Sequence, residues 1–221
     1  MSGIKDFEYD LTINMIVKNE ADIIENTLES LRADMLMIKN SGCKVELVII
    51  DGESTDDTVE ICKKYADRVI TRKFDNFKNQ RNFAITVSNG RIIFSIDSDE
   101  LTSEGLIDHL ILYSQIDSYQ LLPDVIFVPR VNVVNGITND YIYNIGWRTD
   151  EEGHINYPDY QPRIYKNKDY IRWERDVHET FNLEHLKHGR LDPDKSKKNY
   201  LIHIKDIDRQ RRQNEFYNTK F

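Results

Sequence analysis

The sequence predicts an α/β fold, with a mostly parallel central sheet flanked by helices and a smaller antiparallel portion in the second half. Three observations lead there. Up to about residue 100, short runs rich in Val and Ile alternate with segments of helical period, as expected of parallel strands joined by right-handed crossovers. Those runs stop abruptly at Asn, Asp or Glu. Beyond residue 100, strand-like segments follow one another with turns between them, a pattern suited to antiparallel pairing.

Taken in order, residues 1–10 form a polar lead-in and residues 11–17 (LTINMIV) a first strand, ending at Lys18-Asn19-Glu20. Ile24, Leu28, Leu31 and Met35 then recur at helical spacing to about residue 39, and Asn40-Ser41-Gly42 supplies the stop. Residues 45–50 are a second buried strand, ending at Asp51-Gly52. Ser54, followed by Thr55-Asp56-Asp57, offers a hydroxyl cap with an acid three residues on. The next helix is therefore expected from Ser54 to about Tyr65, with Val59 and Cys62 inward. Residues 68–71 make a short third strand, and the segment opened by Asn76 is a helix closed by Asn89-Gly90.

The run Ile92-Ile93-Phe94-Ser95-Ile96 then feeds Asp97-Ser98-Asp99-Glu100, a buried strand opening onto an acidic edge. Thr102 is placed to cap a helix with Leu106, Leu110 and Ile111 inward, and residues 125–128 are a further buried strand. Residues 131–134 before Asn135-Gly136, then 161–165, 167–169 and 171–177, read as strand-like segments and turns. Residues 183–199 are a polar loop, 200–204 a last strand and 206–219 a terminal helix. With no internal repeat and no Pro- or Ser-rich linker, residues 1–221 are expected to form a single domain, its composition changing near residue 100.

Bulk properties exclude several classes. No apolar run is long enough to cross a bilayer and no signal peptide opens the chain, so a cytoplasmic protein is expected. A formal net charge of -8 argues against a general nucleic-acid binder, which needs a basic surface. Cys43 and Cys62 lack metal-ligand spacing and read as reduced structural residues.

Chemistry concentrates at three acidic strand ends: Asn19-Glu20, Asp51, and Asp97 to Asp99. Parallel strands bring their carboxyl ends to one rim, where ligands of open α/β sheets bind. Residues two apart in an extended segment point the same way, so Asp97 and Asp99 can address one hard cation, or a ribose and a cation together. A single acid after a strand is more often a helix cap or turn former, and three such ends weaken that explanation.

In order and spacing, four segments of the first half resemble the family-two glycosyltransferases of the GT-A fold. They are Asn14-Met15-Ile16-Val17-Lys18-Asn19-Glu20, Ile50-Asp51-Gly52-Glu53-Ser54-Thr55-Asp56-Asp57-Thr58, Arg81-Asn82-Phe83-Ala84 and Ile96-Asp97-Ser98-Asp99-Glu100. Gln161-Pro162-Arg163-Ile164-Tyr165 and Trp173-Glu174-Arg175-Asp176-Val177-His178-Glu179 are similar, more loosely, to acceptor-side segments of lipopolysaccharide-core-like and capsule-like members.

The resemblance implies a nucleotide-binding half (1–100) and an acceptor-binding half (101–221). It implies a metal-dependent, inverting transferase moving a sugar from a UDP- or GDP-sugar to a hydroxyl of a glycan or glycolipid, with Mn²⁺ or Mg²⁺ as cofactor. Lys18, Glu20, Asp51, Arg81, Asp97 and Ser98 would meet the donor, Asp51 reading the base and Asp97 holding ribose or a metal-bound water. Asp99 would bind the cation, with Asp97, His178 or His203 completing its shell; either histidine is otherwise a hydrogen-bonded structural residue. Arg81 pairs with the diphosphate or braces Asp97 or Asp51. Glu179 is the candidate general base and Asp176 its reserve.

Trp147, Tyr157 and Tyr160 either stack on sugar faces or cover the core edge. The Arg209 to Arg212 run reads as a solvated helix face, or as a contact for an anionic acceptor lipid or membrane surface. Two other classes stay open. One is a nucleotide-sugar or glycan-binding protein without turnover. The other is a metal-dependent nucleotidyl or phosphoryl transferase, for which no Gly-rich phosphate loop is found.

Overall fold

The computed structural model describes residues 7–175 and 179–220. Its amino-terminal part alternates as expected: β1 (Tyr9–Val17), α1 (Ile24–Asn40), β2 (Val45–Asp51), α2 (Thr58–Cys62), β3 (Arg68–Thr71), α3 (Phe77–Val87) and β4 (Gly90–Ser95). Then come β5 (Glu100–Thr102), α4 (Glu104–Gln115), β6 (Val125–Asn135), α5 (Asn139–Asn144), β7 (Ile155–Lys166), β8 (Trp173–Glu174), β9 (Thr180–Phe181), β10 (His188–Arg190), β11 (Leu201–Asp206) and α6 (Ile207–Lys220).

The main sheet runs β3-β2-β1-β4-β7-β6-β11-β5, with β10 beside β6. Strands β3, β2, β1 and β4 are parallel, β7 is antiparallel to both its neighbours, and β8 and β9 form a separate antiparallel pair. This is the mixed α/β fold the sequence predicts.

Strands β1, β2 and β4 are buried on both faces, and period-two alternation divides them. Val45, Leu47 and Ile49 of β2 join Leu11, Ile13 and Met15 of β1 beneath α1, whose inward residues include Ile24, Leu28, Leu31, Met35 and Ile38. Val48 and Ile50 turn the other way, onto Ala84 of α3. Gly90 is required where β4 meets β1, because a Cβ there would lie 2.3 Å from the Thr12 nitrogen.

Several expectations are corrected. Helix α2 begins at Thr58, not Ser54, because the intervening polar groups are committed elsewhere. The Glu53 and Ser54 amides donate to Asp51, the Thr55 amide donates to Asn19 Oδ1, and Ser54 Oγ accepts from the Asn19 amide. Thr102 ends β5; the position before α4 is Ser103, whose Oγ lies against the Lys198 and Tyr200 carbonyls. Residues 125–135 form one strand through Pro129, with register shifts on either side of it. The 161–165 segment belongs to a twelve-residue strand, and β10 lies inside the expected 183–199 loop. Of the 171–177 segment only Trp173–Glu174 is strand, and residues 176–178 lie outside the described residues.

Candidate functional site

A cleft of about 1000 Å³ opens beyond the carboxyl ends of β1 and β4. Residues 18–20 after β1 form its near wall. The turn 51–58 holds them there: the Glu20 amide donates to Thr58 Oγ1 at 2.8 Å and the Ala21 amide to Asp56 Oδ2 at 3.2 Å. Asn19 takes φ 55°, a conformation asparagine tolerates better than most residues. Lys18, Glu20, Arg81, Asp97, Ser98, Asp99, Glu179 and His203 all line the cleft.

Asp51 does not line it. Its carboxylate is buried and accepts the Glu53 and Ser54 amides. Asp176 and His178 lie outside the described residues.

The two aspartates after β4 have different surroundings. Asp97 is gripped by Arg163 and by Arg81 at 3.0 Å, and these cations outweigh its burial and hold its carboxyl well below the usual range. Arg81 thus braces Asp97. Its Nε, buried without a hydrogen-bond partner, lies 3.9 Å from Glu179, and its guanidinium sits 5.1 Å from the Trp173 ring centroid. Asp99 faces His203 Nε2 at 3.1 Å and Arg209 Nε at 3.3 Å; burial opposes ionisation, but His203 brings its pKa to about 2.

Glu20 meets Arg209 at 2.8 Å, yet burial raises its pKa on balance. Lys205 on β11 also lines the cleft, and burial lowers its pKa to about 8.

These contacts allow a test of cation fit. Two ligands about 2.1 Å from one octahedral ion, at right angles, stand about 3 Å apart. The Asp99 carboxylate and His203 imidazole are 3.1 Å apart, and an oxygen–nitrogen pair suits Mn²⁺ well. Asp97 fits less well as a direct ligand, its two oxygens being engaged by Arg81 and Arg163. A separate group, Asp150, Glu152 and His154, has ligand atoms within 4.8 Å of one another, but the Lys195 ammonium sits among them.

Sequence reading missed residues that only tertiary structure brings here. Glu100 is fully buried between Arg163 at 2.6 Å and Arg130 at 2.9 Å. Arg209, expected on a solvated face, instead bridges Glu20 and Asp99. Asn82 pins β8 from both sides, donating to the Trp173 carbonyl at 3.0 Å and accepting its amide at 2.8 Å. Two signals pointed to Arg163: the resemblance of Gln161-Pro162-Arg163-Ile164-Tyr165 to an acceptor-side segment, and a charged residue beside the buried Ile164-Tyr165. Among the aromatics, Trp147 and Tyr160 line the cleft, while the Tyr157 hydroxyl meets the Pro193 carbonyl.

Comparison with known proteins places this geometry. The sequence profile "Glycosyl transferase family 2" matches residues 12–169, more than half of the chain. The chain belongs to that family. It is 25% identical over 146 residues to the minor teichoic acid biosynthesis protein GgaB of Bacillus subtilis, covering 63% of this chain and 15% of GgaB. It is 33% identical over 96 residues to an uncharacterised glycosyltransferase of Rickettsia bellii, covering 43% of this chain and 30% of that one. The S. aureus TarS 1-349 structure in complex with UDP-GlcNAc superposes with TM-score 0.58 and 18% identity, over 88% of this chain and 58% of that one. The family-two chain thus spans less than two thirds of each of these relatives, and the TarS likeness carries the fold. Among the described residues, no helix is long and apolar enough to cross a membrane.

Proposed function

We propose that this family-two chain transfers a sugar, with inversion and with the help of a divalent cation, from a nucleoside diphosphate-sugar to a hydroxyl acceptor. The observation that carries this reading is the pairing of Asp99 with His203 in a cleft that also holds Glu179. Lys18, Glu20, Arg81, Asp97 and Ser98 form the donor wall, with UDP favoured over GDP by the UDP-GlcNAc bound to TarS. Asp99 and His203 would hold Mn²⁺ or Mg²⁺, which when bound neutralises charge on the departing diphosphate.

Glu179 takes the proton of the acceptor hydroxyl as its oxygen bonds to the anomeric carbon and the bond to the diphosphate breaks. Its place beside Arg81 leaves the carboxylate within the cleft and 15% exposed, accessible to an incoming hydroxyl. Asp176 remains the reserve base.

The acceptor is a glycan or glycolipid, of a lipopolysaccharide-core, capsular or, by analogy with GgaB, teichoic acid kind. Exposed Arg211 and Tyr143 suit peripheral contact with an anionic membrane surface in the cytoplasm. A binding protein without turnover is disfavoured by the presence of both Asp99 and Glu179 in the cleft.

The test is a thermal-shift panel of UDP, GDP and their sugars, with and without Mn²⁺. A nucleotide at a hundred times its Kd stabilises by about 2.7 kcal/mol, and the shift should require the metal. No shift with any nucleoside diphosphate overturns the reading. Incubation of the responding donor with candidate acceptors, followed by mass analysis of the product, then separates transfer from binding alone.

A further inference from the structure

We propose that Asn132 is a positioning residue for the cation: oriented by Asp159, it holds His203 as the Nδ1–H tautomer and leaves Nε2, the nitrogen nearest Asp99, as the atom that meets the cation. The inference rests on the proposed role of Asp99 and His203 as cation ligands.

Asn132 on β6 and His203 on β11 are register partners in adjacent parallel strands, and both are largely buried. The two ends of an amide differ, and the surroundings of Asn132 decide which way it lies. Its Nδ2 donates to Asp159 Oδ2 at 2.9 Å and to the Ile155 carbonyl at 3.3 Å. Reversing the amide would set its oxygen against both acceptors. Asn132 Oδ1 therefore faces His203 Nδ1, at 2.8 Å, and an amide oxygen can only accept. Nδ1 must carry the hydrogen. In a neutral, metal-binding imidazole the lone pair is then on Nε2, the nitrogen 3.1 Å from Asp99.

Asp159 is itself fixed. Arg130 donates to it through Nε at 3.0 Å and Nη2 at 2.7 Å, and Gln161 donates to its other oxygen at 2.7 Å. Arg130 continues to Glu100, Glu100 to Arg163, and Arg163 to Asp97. An unbroken chain of hydrogen bonds and ion pairs thus runs along the cleft wall from Asp97 to His203. A histidine whose second nitrogen is held in this way is a better oriented and more basic ligand, and loss of such a partner weakens metal binding about 10- to 100-fold.

The experiment uses the full chain. Histidine tautomers are read by nitrogen-15 NMR on the parent with Mg²⁺ and UDP added, with the His203 signal assigned from its absence in His203→Ala. Mn²⁺ affinity in the presence of UDP is measured calorimetrically for the parent, Asn132→Leu and His203→Ala. Asn132→Leu leaves Asp159 its Arg130 and Gln161 donors, so the ion-pair chain keeps its partners.

The expected result is an Nδ1-protonated His203 in the parent and Mn²⁺ binding weaker by about 10- to 100-fold in Asn132→Leu. An Nε2-protonated His203 in the parent overturns the inference, and that measurement needs no folded variant. So does parental Mn²⁺ affinity in Asn132→Leu when His203→Ala has lost it. Unchanged affinity in His203→Ala would instead overturn the ligand assignment, and the inference with it.

Discussion

Replacing Arg163 with Met removes the guanidinium that serves both Asp97 and Glu100. Arg163 is 3% exposed and Glu100 is fully buried, so Glu100 cannot recover the lost interaction from water, whereas Asp97, 28% exposed, recovers part of it. Breaking a buried ion pair by deleting one member costs about 3 to 5 kcal/mol. Here Glu100 keeps Arg130 at 2.9 Å and Asp97 keeps Arg81 at 3.0 Å, which puts the expected loss near the lower end, about 3 kcal/mol. Urea unfolding at neutral pH measures it. With a slope of about 2 to 3 kcal/mol per molar, the midpoint should fall by about 1 M or more.

The double variant Arg163→Met/Glu100→Gln should recover part of the loss, because the buried charge goes with its partner. The acid limb adds a further check. The folded pKa of Asp97 lies below its ordinary value of 3.8, so its contribution is complete above that value and is lost as pH falls through the folded pKa. The variant should therefore lose less stability on acidification than the parent. A loss under about 1 kcal/mol, or a Glu100→Gln change that deepens the defect, would refute the claim that Arg163 neutralises the buried Glu100 together with the partly buried Asp97.

Three further outcomes are expected. Glu179→Gln should lower turnover by about 10² to 10⁴ with donor affinity nearly unchanged, measured by steady-state kinetics and calorimetry, while Asp176→Asn keeps most of its turnover; the reverse pattern would make Asp176 the base. Asp99→Asn should abolish Mn²⁺-dependent nucleotide binding with the circular-dichroism spectrum intact, and undiminished metal dependence would remove Asp99 from the ligand set. For Lys205, a folded pKa of about 8 against 10.5 unfolded means the charged amine opposes folding. That cost is complete below pH 8 and relieved as pH rises toward 10.5. The 2.5-unit difference corresponds to about 3 kcal/mol, so Lys205→Met should be more stable than the parent at pH 7, with the gap closing at alkaline pH. A pH-independent difference would show that packing, not charge, governs that position.

What the sequence alone determined is what local chemistry writes into it. The apolar runs of β1, β2 and β4, the helical period of α1, the Asn76 cap of α3 and the stop at Ser41-Gly42 are each set by neighbours within a few residues. So is the arrival of Glu20 and of Asp97 to Asp99 on one rim, since parallel strands leave their carboxyl ends no other place.

Tertiary structure decided the partners of those residues. Asp51 and the acids of the cleft look alike in sequence, yet the turn at Glu53-Ser54 claims one carboxylate and two arginines from α3 and β7 claim another. Arg209 looks like the other charges of its helix until the packing of α6 brings it to Glu20, 189 residues away. The long-range reach of charge in a buried site is the physical reason. Helical and strand periods are properties of the chain, whereas the partner of a buried carboxylate is whichever cation the finished fold presents to it.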